Sequence, residues 1–220
     1  SCFPPENQLV FAAKDVTTKY TRRSQNEYEK ISYYIEETIR IRKGNYLIFF
    51  PSYEMLESVY GAFLASESAK NSVCKLQSLH MTEEEREEFL AEFEKEQESS
   101  LLGFCVMGGI FSEGIDLAEE KLIGAIIVGT GLPRVCVERE LLKQYFDARE
   151  FGGFDYAYLY PGMNKVLQSA GRVIRTETDK GCILLLDERF EKSEYKKLFP
   201  REWKQPVFGK ISDLSNVLEN

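Results

Sequence analysis

The chain has 220 residues, 43% hydrophobic and 13% aromatic, which is enough to bury a full core as one domain or at most two small ones. It carries a net charge of −8 and a single histidine, His80. No apolar run reaches the roughly 20 residues of a membrane span, and no cleavable signal pattern opens it. A transmembrane protein, an imidazole-based catalyst and a histidine-rich metal site are thereby set aside, and a soluble, cytoplasmic protein is expected.

In chain order, Ile31, Tyr34, Ile35, Thr38 and Ile39 keep helical spacing. The run 46–50 is short and fully apolar, and Met55, Leu56, Val59, Tyr60 and Phe63 are helical again. A weak strand at 73–76 follows. Residues 82–98 then hold nine glutamates against Arg86 and Lys95, a local charge of −7. That is nearly all of the chain's net charge, so the remainder is close to neutral and can still carry basic patches. The acidic segment reads as a solvated surface helix opened by a capping box of Thr82 and Glu85, with Phe89, Leu90 and Phe93 facing inward. Strands are expected at 101–107, 122–128 and 182–186, and helices around 138–149 and over 168–175. The Gly- and Tyr-rich stretch 151–161 reads as a long loop or small excursion, and the tail after Arg201 as a short closing helix. The five cysteines, Cys2, Cys74, Cys105, Cys136 and Cys182, are far apart, odd in number and mostly in apolar surroundings, so reduced core thiols are expected.

Strands that are apolar on both faces and alternate with helices predict a mostly parallel sheet covered on both sides, a three-layer α/β/α domain over 1–220. In such sheets, ligands sit at the carboxyl ends of the strands, so the loops there matter most. After 46–50, Ser52 would cap the next helix and offer a hydroxyl and backbone N–H groups to an anion, although an ordinary cap is the simpler reading. After 101–107 come Gly108, Gly109, Ile110, Phe111, Ser112, Glu113, Gly114, Ile115 and Asp116. Their glycines permit close backbone approach, and Ser112, Glu113 and Asp116 present polar groups. A plain turn explains that loop equally well, and the same holds for Gly129, Thr130, Gly131, Leu132 and Pro133. Finally, Gln168 and Arg172 are four apart and Arg172 and Arg175 three apart, so one helical face would carry an amide and two guanidiniums. Val166, Leu167, Ala170, Val173 and Ile174 would pack that helix down, leaving a face suited to phosphate. A solvated basic edge is the default alternative.

Taken in this order and spacing, the segments 49–53, 111–116 and 168–175 resemble motifs four, five and six of the second RecA-like domain of superfamily-two DNA helicases. That domain is P-loop NTPase-like in fold, and the resemblance is to the DinG and XPD branch, nearest to the bacterial DinG type. Gly131, Leu132 and Pro133, the turn 178–181 and the strand end 186–189 also match, and the opening 1–7 is similar to where this domain begins. The resemblance covers essentially the whole chain. It implies the second motor domain of an ATP-dependent DNA helicase, with 5′ to 3′ polarity. It further implies that Arg172 and Arg175 are arginine fingers for ATP held on the first RecA-like domain of the same polypeptide, with Gln168 organising the same cleft. Glu113 and Gly114 would line that cleft and Asp116 would face the ribose. Ser52, Tyr53, Ser112, Thr130 and Gly131 would hold single-stranded DNA through its backbone.

No Gly-x-x-x-x-Gly-Lys-Ser/Thr occurs, so ATP and Mg²⁺ are expected mainly on the absent first domain, and the chain alone is expected to be inactive. Residues 184–188 imitate a magnesium-positioning strand but read as a buried strand ending in a salt-bridged turn. An iron–sulfur cluster or an N-terminal exonuclease, each known in parts of the family, would lie outside this chain. Two other readings stay open: a non-catalytic nucleic-acid-binding module, and a Rossmann-like nucleotide-dependent transferase. Against the second, no Gly-x-Gly-x-x-Gly follows a strand. Against the first, a clamp has no need of two arginines and a glutamine converging on a cleft.

Overall fold

The computed structural model of the chain describes residues 7–96, 98–111, 121–172, 181–203 and 205–219. Among them, seven strands form one sheet: β1 (Gln8–Ala13), β2 (Asn45–Phe50), β3 (Ser72–Leu76), β4 (Ser100–Val106), β5 (Gly124–Val128), β6 (Gly181–Leu186) and β7 (Val207–Gly209). Their order is β3-β4-β2-β5-β6-β1-β7, and each neighbouring pair is parallel. The helices are α1 (Gln25–Ile41), α2 (Tyr53–Leu64), α3 (Glu67–Lys70), α4 (Glu83–Phe93), α5 (Val137–Asp147), α6 (Tyr160–Ala170), α7 (Ser193–Lys196) and α8 (Leu214–Leu218).

The central strands are apolar throughout because both faces are covered. Tyr46, Ile48 and Phe50 of β2 join Ile31 and Ile35 of α1, Met55, Val59 and Phe63 of α2, and Leu214 of α8 in one core layer. Leu47 and Phe49 join Phe89 and Phe93 of α4 and Met163 and Val166 of α6 in the other. The same alternation holds in β5 and β6, as a two-residue side-chain period requires. Gly103 of β4 shows how tightly α4 seats: a Cβ there would lie 2.7 Å from Leu47 and 2.9 Å from Phe89. The Thr82 capping box forms as expected, with Thr82 N donating to Glu85 Oε2 at 2.7 Å and Glu85 N donating to Thr82 Oγ1 at 3.2 Å.

Several expectations are corrected. The stretch 151–161 is not a loop beyond its first residues: the chain is helical from 153, passes through a π-helical turn at Asp155–Leu159 and continues as α6. Pro161 explains the widened turn, since it has no N–H to give the Ala157 carbonyl four residues earlier. Arg139 Nη1 donates to that carbonyl instead, at 3.1 Å. The helix expected over 168–175 ends at Ala170, with Gly171 and Arg172 in a turn and Arg172 N donating to Ser169 O at 3.3 Å. Gln168 and Arg172 therefore do not share a continuous helical face, and Val173, Ile174 and Arg175 lie outside the described residues. The tail holds β7 before its closing helix, and β1 is a further strand. Cys105 and Cys182 are buried, Cys74 is half-buried, and Cys136 is exposed rather than a core thiol; all four are free. Burial pushes the Cys182 thiol up to about 11, and the Cys74 thiol likewise.

Candidate functional site

The carboxyl ends of β1, β2, β5 and β6 open onto one cavity of about 650 Å³. Its walls come from Thr18, Tyr20 and Arg23 after β1, Pro51, Ser52 and Glu54 after β2, Thr130, Gly131, Leu132, Pro133, Arg134 and Val135 after β5, and Arg189 after β6. Three arginines face one glutamate there, in a chain of net charge −8. A larger hollow of about 910 Å³ lies at the amino-terminal ends of β2 and β4, with Lys43, Asn45, Glu94 and Lys121 in its wall. It mixes both signs of charge and contains none of the motif residues, so the cavity at the carboxyl ends is the candidate site.

Its floor is a buried polar network. The Asp187 carboxylate, fully buried, accepts from Thr18 N at 2.9 Å, Thr18 Oγ1 at 2.7 Å and Arg189 N at 2.9 Å. It also holds Arg189 side-on, with Nε on Oδ1 at 2.8 Å and Nη2 on Oδ2 at 2.9 Å. Burial alone would raise the Asp187 pKa, but the hydrogen bonds and charge of Arg189 and the Thr18 bonds outweigh it and hold the carboxyl below its ordinary value. Glu188 beside it is engaged by Lys19 at 2.7 Å and Arg22 at 2.8 Å. The strand end that imitates a magnesium site is thus a salt-bridged turn. Among the described residues, no three His, Cys, Asp or Glu side chains gather as a metal site.

The motif residues divide. Ser52 caps α2, accepting from Met55 N at 3.3 Å, and lines the cavity, where the first-turn N–H groups and the helix dipole favour an anion. Thr130 is 1% exposed. Its hydroxyl is itself buried, next to the Tyr195 side chain. Gly131 has φ +65°, and a Cβ there would lie 2.7 Å from the Gly162 carbonyl, so only glycine lets the turn press onto α6. Tyr53 is turned to structure: its hydroxyl donates to Ser78 O at 3.2 Å and accepts from Gln77 Nε2 at 2.9 Å, and Gln77 Oε1 accepts from Val106 N. Gln168 is exposed and Arg172 half-buried, and neither lines the cavity; Gln168 stands about 9 Å along α6 from Gly162. Ser112, Glu113, Gly114, Asp116 and Arg175 lie outside the described residues. Sequence reasoning missed Thr18, Arg23, Arg134 and Arg189 as cavity residues; only Arg189, one residue past the acidic pair that ends β6, carried a signal.

Comparison with known proteins gives the following. The family described as helicase C-terminal domain matches residues 35–206. A "Probable ATP-dependent helicase" of Methanocaldococcus jannaschii is 30% identical over 200 residues, covering 86% of this chain and 30% of that protein. The ATP-dependent DNA helicase XPD of Sulfolobus acidocaldarius is 30% identical over 192 residues, 83% of this chain and 32% of its own. The 3′-5′ exonuclease DinG of Staphylococcus saprophyticus is 26% identical over 219 residues, 98% of this chain and 23% of its own. The chain therefore spans less than a third of the length of these relatives. In fold, it matches a solved structure of apo XPD with a TM-score of 0.74 at 24% identity, over 93% of this chain and 40% of that one. It also matches the C-terminal domain of the DEAD-box protein Dbp5, with a TM-score of 0.52 at 10% identity, over 98% and 97%.

Proposed function

The chain belongs to the helicase C-terminal domain family, and from that premise we propose that it is the second motor domain of an ATP-dependent DNA helicase of the XPD and DinG branch. The observation that carries this reading is the meeting of Ser52 with Thr130 and Gly131, from two separate motifs, around one arginine-rimmed cavity at the carboxyl ends of the strands. Such a surface suits the backbone of single-stranded DNA: it offers N–H groups, hydroxyls and guanidiniums to phosphate oxygens and presents no pattern that would read a base. Tyr53 braces the same loop through Gln77, and Ser112 would extend the track.

Arg172 and Arg175 act as fingers toward the γ-phosphate of ATP held on the first motor domain of the same polypeptide, with Gln168 beside them. A guanidinium in that position stabilises charge on the transferring phosphoryl group. Glu113 and Gly114 line the cleft and Asp116 meets the ribose. Mg²⁺ would supply charge neutralisation at the phosphates from the first domain. Cleft closure would shift the Ser52 and Thr130 loops along a strand travelled 5′ to 3′, and the chain by itself would not turn over ATP. A nuclease joined to the same polypeptide is a second reading, favoured by the name of the staphylococcal relative.

The test is ATP hydrolysis by the whole helicase with and without single-stranded DNA. DNA should stimulate the wild type, and Arg172→Ala or Arg175→Ala should lower kcat by about a hundredfold or more while strand binding survives. A rate untouched by either substitution would refute the finger assignment, and a wild type indifferent to DNA would refute the motor reading.

A further inference from the structure

The geometry of the cavity floor points to a phosphate ligand that no motif names. Arg189 commits Nε and Nη2 to Asp187, and Nη2 also donates to Thr18 Oγ1 at 2.8 Å. Among the described residues its Nη1 donates to no partner, and the side chain, 14% exposed, lines the cavity. A planar guanidinium gripped along one edge has a fixed orientation and a second edge to give, which is how arginine presents a fork to phosphate. The neighbouring carboxylate, Glu188, accepts from Lys19 and Arg22 and makes no hydrogen bond to Arg189 among the described residues.

Two further observations converge on the same space. Ser52, the N-cap of α2, lines the same cavity, where the first-turn N–H groups of that helix favour an anion. Arg23 and Arg134 stand on the rim; Arg23 Nη1 is 4.0 Å from Glu54, a loose contact, and Nε donates to Thr18 O at 3.4 Å. Thr18 is tied into the network from the other side, since Asp187 accepts from both its N–H and its hydroxyl across 169 residues of sequence. Burying an ion pair of this kind is a weak route to stability, because desolvation offsets the attraction, but it is an effective way to fix where a charge points.

We propose that Arg189 is a phosphate ligand of the strand track, and that Asp187 and Thr18 are positioning residues that hold its free edge toward the cavity. The inference rests on the reading of this cavity as a single-strand track. One phosphodiester oxygen would accept from Nη1 of Arg189 in the cavity that the Ser52 cap of α2 also lines.

The test is binding of an oligothymidylate to the 220-residue chain, which has a sheet and two core layers of its own, followed as a function of salt concentration. Each phosphate contact on a single strand contributes about 0.7 to the slope of log K against log salt. Arg189→Met should reduce that slope by about one contact, and Asp187→Asn should weaken binding while keeping the slope, because the charge stays and its orientation is lost. A slope that keeps its wild-type value in Arg189→Met, with only the melting temperature lowered, would mean a purely structural pair and would overturn the assignment. Should Arg189→Met fail to fold, the guanidinium NMR resonance of Arg189 in the wild-type chain decides: a shift on adding oligothymidylate supports the contact, and an unmoved resonance overturns it. A wild type that binds no single strand at any salt would instead refute the track itself, and the proposed function's DNA-gripping part with it.

Discussion

Helix α4 and the cavity at the strand ends carry charge in opposite ways. Around α4, glutamates outnumber basic residues and most are exposed; Lys95 reaches Glu92 at 2.7 Å with 59% of its side chain in solvent, and Arg86 pairs with Glu83. Such pairs are worth about 0–1 kcal/mol and fade with salt. At the cavity, a few charges are locked by burial: Asp187 has no exposed surface and five hydrogen bonds. The net charge of −8 therefore describes mainly residues 82–98 and says little about the surface that would meet a nucleic acid. A sum over the chain averages a solvated face with a constructed one.

The sharpest way to break this contrast is Asp187→Asn, which strands the Arg189 guanidinium without its counter-charge. Loss of a partner from a buried pair costs about 3–5 kcal/mol, measurable by denaturant unfolding. The same residue sets a pH dependence. Its folded pKa lies below the ordinary value of about 3.9, so its contribution is fully present above that value and is lost as pH falls through the folded one. Wild-type stability should therefore fall on acidification below about pH 4, and the asparagine variant should lose less over the same range.

Next in size is Gly131→Ala, which forces φ +65° on an alanine and a Cβ against the Gly162 carbonyl; about 1–3 kcal/mol of destabilisation is expected, with loosening of the turn that carries Thr130. On the α4 side the effects shrink. Thr82→Ala removes the capping box and should cost about 1 kcal/mol, and Glu84→Gln on the exposed face should stay within about 0.5 kcal/mol. Thermal unfolding of these two variants checks both values; a loss from Glu84→Gln as large as that from Asp187→Asn would erase the distinction between the two regions.

What the sequence made legible follows from period and punctuation. The two-faced apolar runs of β2, β4, β5 and β6, the buried stripe of α1 and the Thr82 cap all obey local rules, and they formed where those rules put them. The turn at Asp155–Leu159 escaped because Pro161 and the surrounding glycine and tyrosines read as a break, while the bond that makes a widened helix tolerable comes from Arg139 on α5. β1 was overlooked although residues 9–13 are a short apolar run by the same rule; its place between β6 and β7 is a long-range fact. At the site, Ser52, Thr130 and Gly131 could be picked out as loop residues after strands, but their meeting depends on β2 and β5 being neighbours, which no local pattern encodes. Arg189 was marked only by following the acidic pair that ends β6, and its partner Thr18 lies 171 residues away.

The most direct test of the account is oligothymidylate binding by the 220-residue chain with charge altered in each region separately. Arg23→Glu with Arg134→Glu should abolish most binding and remove about two phosphate contacts, or about 1.4 from the salt slope, whereas replacing the exposed glutamates of α4 by glutamine should leave the slope unchanged. If the cavity reversal leaves binding intact, or the neutralised helix changes the slope as much as the cavity does, then overall charge and not the built cavity governs contact with the strand, and the account is wrong.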